Sequence, residues 1–146
     1  MKVSGIESIG VVIDADDAAA ASRWQSIRAM LRNIGYAHVD SDPDLKGTVV
    51  HADGLPAVGV WIMPDNSLGG ALEDFVARLI PSGDMLWPKA QNCVASIEPE
   101  ARLFTNESKA VMHTWLAWQQ EPGVLMGSAL KRQYLDAGSL HATDFT

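Results

Sequence analysis

Hydrophobic residues first cluster at Ile9-Gly10-Val11-Val12-Ile13, a run too short for a helix and dominated by β-branched side chains, which predicts a strand. Its unbroken rather than alternating hydrophobicity predicts cover on both faces, as in α/β sheets. The run stops abruptly at Asp14-Ala15-Asp16-Asp17. Beyond it, Trp24, Ile27, Leu31 and Ile34 recur at helical spacing, and Gly35 is placed to stop the helix. The polar stretch from Tyr36 to Lys46, with Asp42-Pro43-Asp44, reads as loop. Two further strands, Thr48 to His51 and Val58 to Met63, flank Asp53-Gly54-Leu55-Pro56 and predict a hairpin.

The third strand ends in Pro64-Asp65-Asn66, and after Gly69-Gly70 the residues Leu72, Phe75, Val76 and Leu79 form one apolar helical face closed by Pro81. A helix is expected from near Asp84, using Leu86, Ala90, Val94 and Ile97, and another from near Asn106 to Gln120 before Glu121-Pro122-Gly123. A short helix around Ala129 to Leu135 precedes a loose tail. Strand, helix, hairpin, then helices is an α/β pattern: a sheet of few strands with four or five helices, low in strands for a complete sheet. No repeat or linker-like segment interrupts residues 1–146, so a single domain is expected.

Charge narrows the partners. Lys and Arg number 11 against 18 Asp and Glu, a net charge of −7, which argues against wrapping nucleic acid unaided. The one cysteine, Cys93, cannot form an internal disulfide and suits a reducing compartment. No apolar run approaches the ~20 residues of a membrane span, and no signal-peptide region is legible, so a soluble cytoplasmic protein is expected.

In open α/β sheets, ligands collect outside the carboxyl ends of strands. Here those ends carry Asp14 and Asp16 after the first strand and Asp65 after the third, and the next helix supplies Glu73. Asp14 and Asp16 alternate about Ala15, so their carboxylates point the same way if the strand continues. At about 100° per residue, the apolar face of that helix centres near Leu72; Glu73 falls at its edge, and Asp74 points into water. Clustered carboxylates repel unless a cation lies among them, and an oxygen-only set favours Mg²⁺ or Mn²⁺. The structural alternative is capping, since acids suit the first turn of a helix; Asp17 is most simply such a cap.

On the last long helix, Lys109 and His113 share a side with Met112 and Leu116, while Val111, Trp115 and Trp118 form a stripe expected to face the core. Lys109 is either a cation for a phosphate oxyanion or a solvated lysine. Glu107 suits the start of this helix as a surface acid. His38, His51, His113 and His141 have no ligand spacing with one another or with Cys93, and Cys93 is expected on the apolar side of its helix. Ser67-Leu68-Gly69-Gly70 lacks the Lys-Ser/Thr of a P-loop. Ile62-Met63-Pro64-Asp65 and Asp16-Asp17 look receiver-like, but no aspartate stands at Val60 or Trp61 to accept a phosphoryl group.

Taken together, Gly10-Val11-Val12-Ile13-Asp14-Ala15-Asp16-Asp17, the segment Gly59 to Asn66 with Glu73-Asp74-Phe75, and Ser108-Lys109-Ala110 with His113 to Gln119 resemble a bacterial family of uncharacterised proteins related to the TOPRIM fold, from about Ser4 to Phe145. TOPRIM domains occur in topoisomerases, primases and the overcoming-lysogenization-defect nucleases, where acids bind Mg²⁺ for phosphoryl transfer. The resemblance implies that Asp14 and Asp16 match the Asp-x-Asp pair, that Glu73 is a further acid, and that Lys109 matches the lysine of those nucleases. It departs at the strand ending in Glu-Gly that usually opens such domains: Glu7 precedes the Asp-x-Asp strand, with no Gly after it. That departure implies weak or absent hydrolysis and leaves divalent-metal binding open, and it implies a bare sheet edge that a second copy could cover.

Two functions follow as expectations. One is a Mg²⁺- or Mn²⁺-dependent, nuclease-like phosphoryl transfer on nucleic acid or a smaller phosphate ester, with Asp14 and Asp16 on the metal, Asp65 or Glu73 completing or orienting the shell, and Lys109 offsetting charge. The other is a non-catalytic interaction module that partners an ATPase or another protein, with tryptophans as anchors.

Overall fold

Among the described residues, three strands form the sheet of this α/β chain. In the computed structural model, which describes residues 5–16 and 18–138, β1 (Ser8–Asp14) runs parallel to β3 (Ala57–Met63), with Ser8 opposite Ala57 and Asp14 opposite Met63. On the other edge of β3, β2 (Thr48–Val50) pairs antiparallel, giving a mixed sheet in the order β1-β3-β2. The hairpin and the parallel return of β1 match the pattern of short β-branched runs. Asp17, His141, Phe145 and the tail lie outside the described residues.

The described residues form two compact units, one up to Phe75 and one from Val76 onward. In the first, α1 (Ala20–Asn33) covers one sheet face: Trp24, Ile27 and Leu31 pack with Val11, Ile13, Val58, Val60 and Ile62. Each fully buried side chain of this size stabilises by about 1.5–3 kcal/mol. Gly35, at φ 115°, ends the helix, and the amides of Gly35 and Tyr36 close onto the carbonyls of Arg32 and Leu31. Ile34, expected in the apolar stripe, is exposed because it sits at the cap itself. The 36–46 loop is held by side chains of α1 and its own tyrosine. Trp24 Nε1 donates to the Asp40 carbonyl, Arg28 Nε to that of Val39, and Tyr36 Oη to that of Pro56.

Double cover of β1 is not what forms. Val12 is 56% exposed, and a Cβ placed at Gly10 or Gly59, which lie in register on the face opposite α1, would meet nothing. At these positions no described element of the first unit lies over the face, and among the described residues β1 bonds to β3 on one side only. An unbroken apolar run is thus, in this chain, the signature of an edge strand with one open face.

In the second unit α3 (Trp87–Ala95) packs on α4 (Glu107–Ala117), followed by α5 (Met126–Lys131). Asp84 starts α3 by accepting the amides of Leu86 and Trp87, and Asn106 caps α4 by accepting that of Lys109. Ala90 and Val94 are buried, as their spacing requires, but Cys93 is exposed rather than on the apolar side. On α4 the core arc is wider than the tryptophan stripe. Met112 and Leu116 are buried along with Val111 and Trp115, whereas Trp118, at the C-cap, is 41% exposed. Among the described residues no helix is long and apolar enough to cross a membrane.

Candidate functional site

At the carboxyl end of the parallel pair, the Ala15 amide bonds to the Met63 carbonyl, one residue beyond the last pair of the strands. The chain then leaves strand geometry. Asp16 has φ 55°, a left-handed conformation uncommon outside glycine, asparagine and aspartate. The alternation about Ala15 therefore does not extend to Asp16, because the strand ends at Asp14. What fixes Asp16 instead is a reciprocal backbone pair with Gly70: each amide donates to the other's carbonyl at 2.8 Å.

Asp14 makes the second tie to the same segment. Its Oδ1 accepts the amide of Leu72, the first residue of α2 (Leu72–Ala77), across 58 positions of sequence. The end of β1 and the start of α2 are thus stitched together, so Asp14, Asp16 and the segment bearing Glu73 share one edge of the first unit. Asp65 lies just past β3 and is half-buried; its Oδ1 accepts the amides of Ser67 and Leu68 and the Ser67 hydroxyl, the bonding of an aspartate that organises a turn.

The face of α2 differs from the helical-wheel expectation. Leu72 is 40% exposed and Glu73 only 8% exposed. Asp74, expected in water, is half-buried and caps the helix, its Oδ2 accepting the Ala71 amide. The reason is positional: with its first amides bound by Asp14 and Asp74, the six-residue helix takes its rotation from those bonds. Phe75, Val76 and Leu79 remain buried, but Leu72 is turned outward.

Arg23, which spacing did not single out, donates from Nη2 to Asp16 Oδ2 at 2.5 Å. Both side chains are partly exposed, and pairs of this kind are worth about 0–1 kcal/mol. A basic residue seven positions beyond an acid, across a strand-to-helix turn, is the only signal that could have marked it. Gly70 was legible as a turn residue, not as the partner of Asp16. At φ 141°, a Cβ there would stand 2.8 Å from Asp74 Oδ2 and 3.2 Å from Pro64 Cδ. Gly70→Ala is accordingly expected to destabilise the chain by about 1–3 kcal/mol in urea unfolding, by straining the backbone and dislodging the Asp74 cap. An unchanged midpoint would show that the turn relaxes freely.

Asp14 and Asp16 each keep one carboxylate oxygen uncommitted to other described residues, Oδ2 and Oδ1 respectively. Among the described residues no three His, Cys, Asp or Glu side chains are grouped so as to hold a metal ion. The four acids Asp14, Asp16, Asp65 and Glu73 are thus not brought together as one closed ligand set. Lys109 belongs to the second unit and is exposed on α4 with His113.

A family model described as "Protein of unknown function (DUF3226)" matches residues 1–146. No curated protein and no solved structure matches the chain.

Proposed function

The chain belongs to the DUF3226 family, and we propose that it is a TOPRIM-related protein whose first unit binds Mg²⁺ or Mn²⁺ for a nuclease-like phosphoryl transfer. The observation that carries this is the double tie of β1's carboxyl end to residues 70–72, which brings two carboxylates and the Glu73 segment to the strand ends. Asp14 and Asp16 would hold the ion. When bound, it would neutralise charge on a phosphate oxygen. Glu73 or Asp65 would complete or orient the shell, and Asp65 also orders the turn at Ser67 and Leu68. Arg23 pairs with Asp16, and would be free to meet a phosphate oxygen if Asp16 held the ion instead.

Calorimetric titration with Mn²⁺ tests metal binding, and cleavage of plasmid and single-stranded DNA with Mg²⁺ or Mn²⁺ tests the chemistry. Asp16→Asn is expected to weaken Mn²⁺ by about tenfold or more, and Arg23→Gln, which frees Asp16, to bind it at least as tightly as wild type. Any cleavage must fall with Asp16→Asn. Metal affinity indifferent to that substitution would overturn the assignment.

Among the described residues, the exposed face at Gly10, Gly59 and Val12 and the unpaired edge of β1 favour a second reading: a non-catalytic module that docks a second copy or an ATPase. Light scattering tests the first occupant. A monomer at all concentrations would remove it.

A further inference from the structure

The second unit contains an open surface pocket of about 490 Å³ whose described lining residues are Gln120, Glu121, Ser128, Lys131, Arg132 and Tyr134, all of them polar. Among the described lining residues the one acid is paired: Arg132 Nη1 donates to Glu121 Oε1. That leaves the Lys131 ammonium as the unpaired charge of the described wall. Among the described residues neither Lys131 nor the Ser128 hydroxyl has a side-chain hydrogen bond or ion pair, and Arg132 keeps Nε and Nη2 uncommitted. The Tyr134 hydroxyl accepts the Glu121 amide, so its proton remains to be donated. The backbone builds this wall locally. Gln133, at φ 60°, ends α5, and the Tyr134 amide returns to the Ala129 carbonyl, so Arg132 and Tyr134 flank one sharp turn.

We infer that this pocket binds a small phosphomonoester, with Lys131 and Arg132 holding the phosphate and the Ser128 and Tyr134 hydroxyls completing its shell. Four donors on separate side chains match the three oxygens of a tetrahedral dianion better than the two coplanar oxygens of a carboxylate. The volume, within the range of small-molecule sites, leaves room for an organic group beside the phosphate. The chain's net charge of −7 repels anions in general, so saturable uptake of one must come from a local wall of this kind. The inference is independent of the acidic strand end, which lies in the other unit.

The test titrates the full-length chain, without divalent metal, with methyl phosphate, dimethyl phosphate and acetate at constant ionic strength, following backbone amide resonances. Methyl phosphate is expected to saturate and to shift Ser128, Lys131, Arg132 and Tyr134. Both other anions are expected to bind about tenfold more weakly, since each brings one charge and two strong acceptors. Lys131→Met should weaken methyl phosphate by about tenfold and Lys131→Arg should restore it. Lys131 also closes α5, where a cation suits the helix end, so thermal melts accompany the titrations. An unshifted melt with lost binding is the signature of a ligand contact. Linear, non-saturating shifts, equal binding of dimethyl phosphate, or an affinity unchanged in Lys131→Met would each overturn the inference.

Discussion

Asn66→Ala is expected to destabilise the chain by about 2–4 kcal/mol, read as a lowered urea midpoint at constant slope. Asn66 is 2% exposed, and its side chain serves two backbone groups at once: Oδ1 accepts the Ile62 amide at 2.7 Å and Nδ2 donates to the Leu45 carbonyl at 3.2 Å. Its own amide donates to the Ile62 carbonyl, and its φ of 60° is one that asparagine tolerates better than alanine. Truncation removes both side-chain bonds in a buried place and leaves the strained backbone unsupported. Asn66→Gly separates the two contributions, because glycine accepts the positive φ while losing the same bonds. It is expected to recover about 1 kcal/mol of the loss and no more. Asn66→Asp keeps the acceptor for Ile62 but sets a carboxylate against the Leu45 carbonyl, and is expected to be as damaging as alanine. Three variants of equal, near-wild-type stability would show that the end of β3 does not depend on this side chain.

Asn66 also shows what the sequence could not convey. As part of Pro64-Asp65-Asn66 it reads as one more polar turn residue, and its Leu45 partner is 21 positions away. The strands and α1 were legible because their signals are local: β-branched runs bounded by turn residues, and a helical stripe stopped by Gly35. Their faces were less so. Val12 and Cys93 sit where a run or a stripe predicts burial, and both are exposed, since burial depends on whether a second layer arrives. The same limit applies at the acidic edge. That Asp14 and Asp16 stand at a strand end follows from Ile9 to Ile13 alone. That Asp14 caps α2, that Asp16 pairs with Gly70 and Arg23, and that Glu73 rather than Leu72 turns inward follow from bonds spanning up to 58 residues. No periodicity encodes these, because the helix is too short for its own stripe to set its rotation.

In the second unit the largest loss is expected at Trp115. Trp115→Ala should cost about 3–5 kcal/mol, the range for deleting a large buried aromatic, and should abolish near-ultraviolet dichroism from the packed tryptophans. The side chain is fully buried, meets Trp87 edge-to-face with ring centroids 6.2 Å apart, and donates from Nε1 to Asp84 Oδ1 at 3.2 Å. That one carboxylate oxygen also accepts the amides of Leu86 and Trp87 at 2.8 and 2.7 Å, so the start of α3 and the centre of α4 are fastened at a single atom. Trp115→Phe keeps most of the apolar contact but removes the indole N–H. It should cost less than alanine by the difference in buried volume, leaving Asp84 with its two amides. Asp84→Ala is the sharper probe. It strips three donors at once and leaves the Trp115 N–H buried without its acceptor, at about 1–3 kcal/mol for that group alone. If Asp84 and Trp115 act through this shared bond, Asp84→Ala combined with Trp115→Phe must cost less than the sum of the two single changes. Strict additivity would mean that the carboxylate serves only as the cap of α3, and that the two helices are held by apolar packing alone.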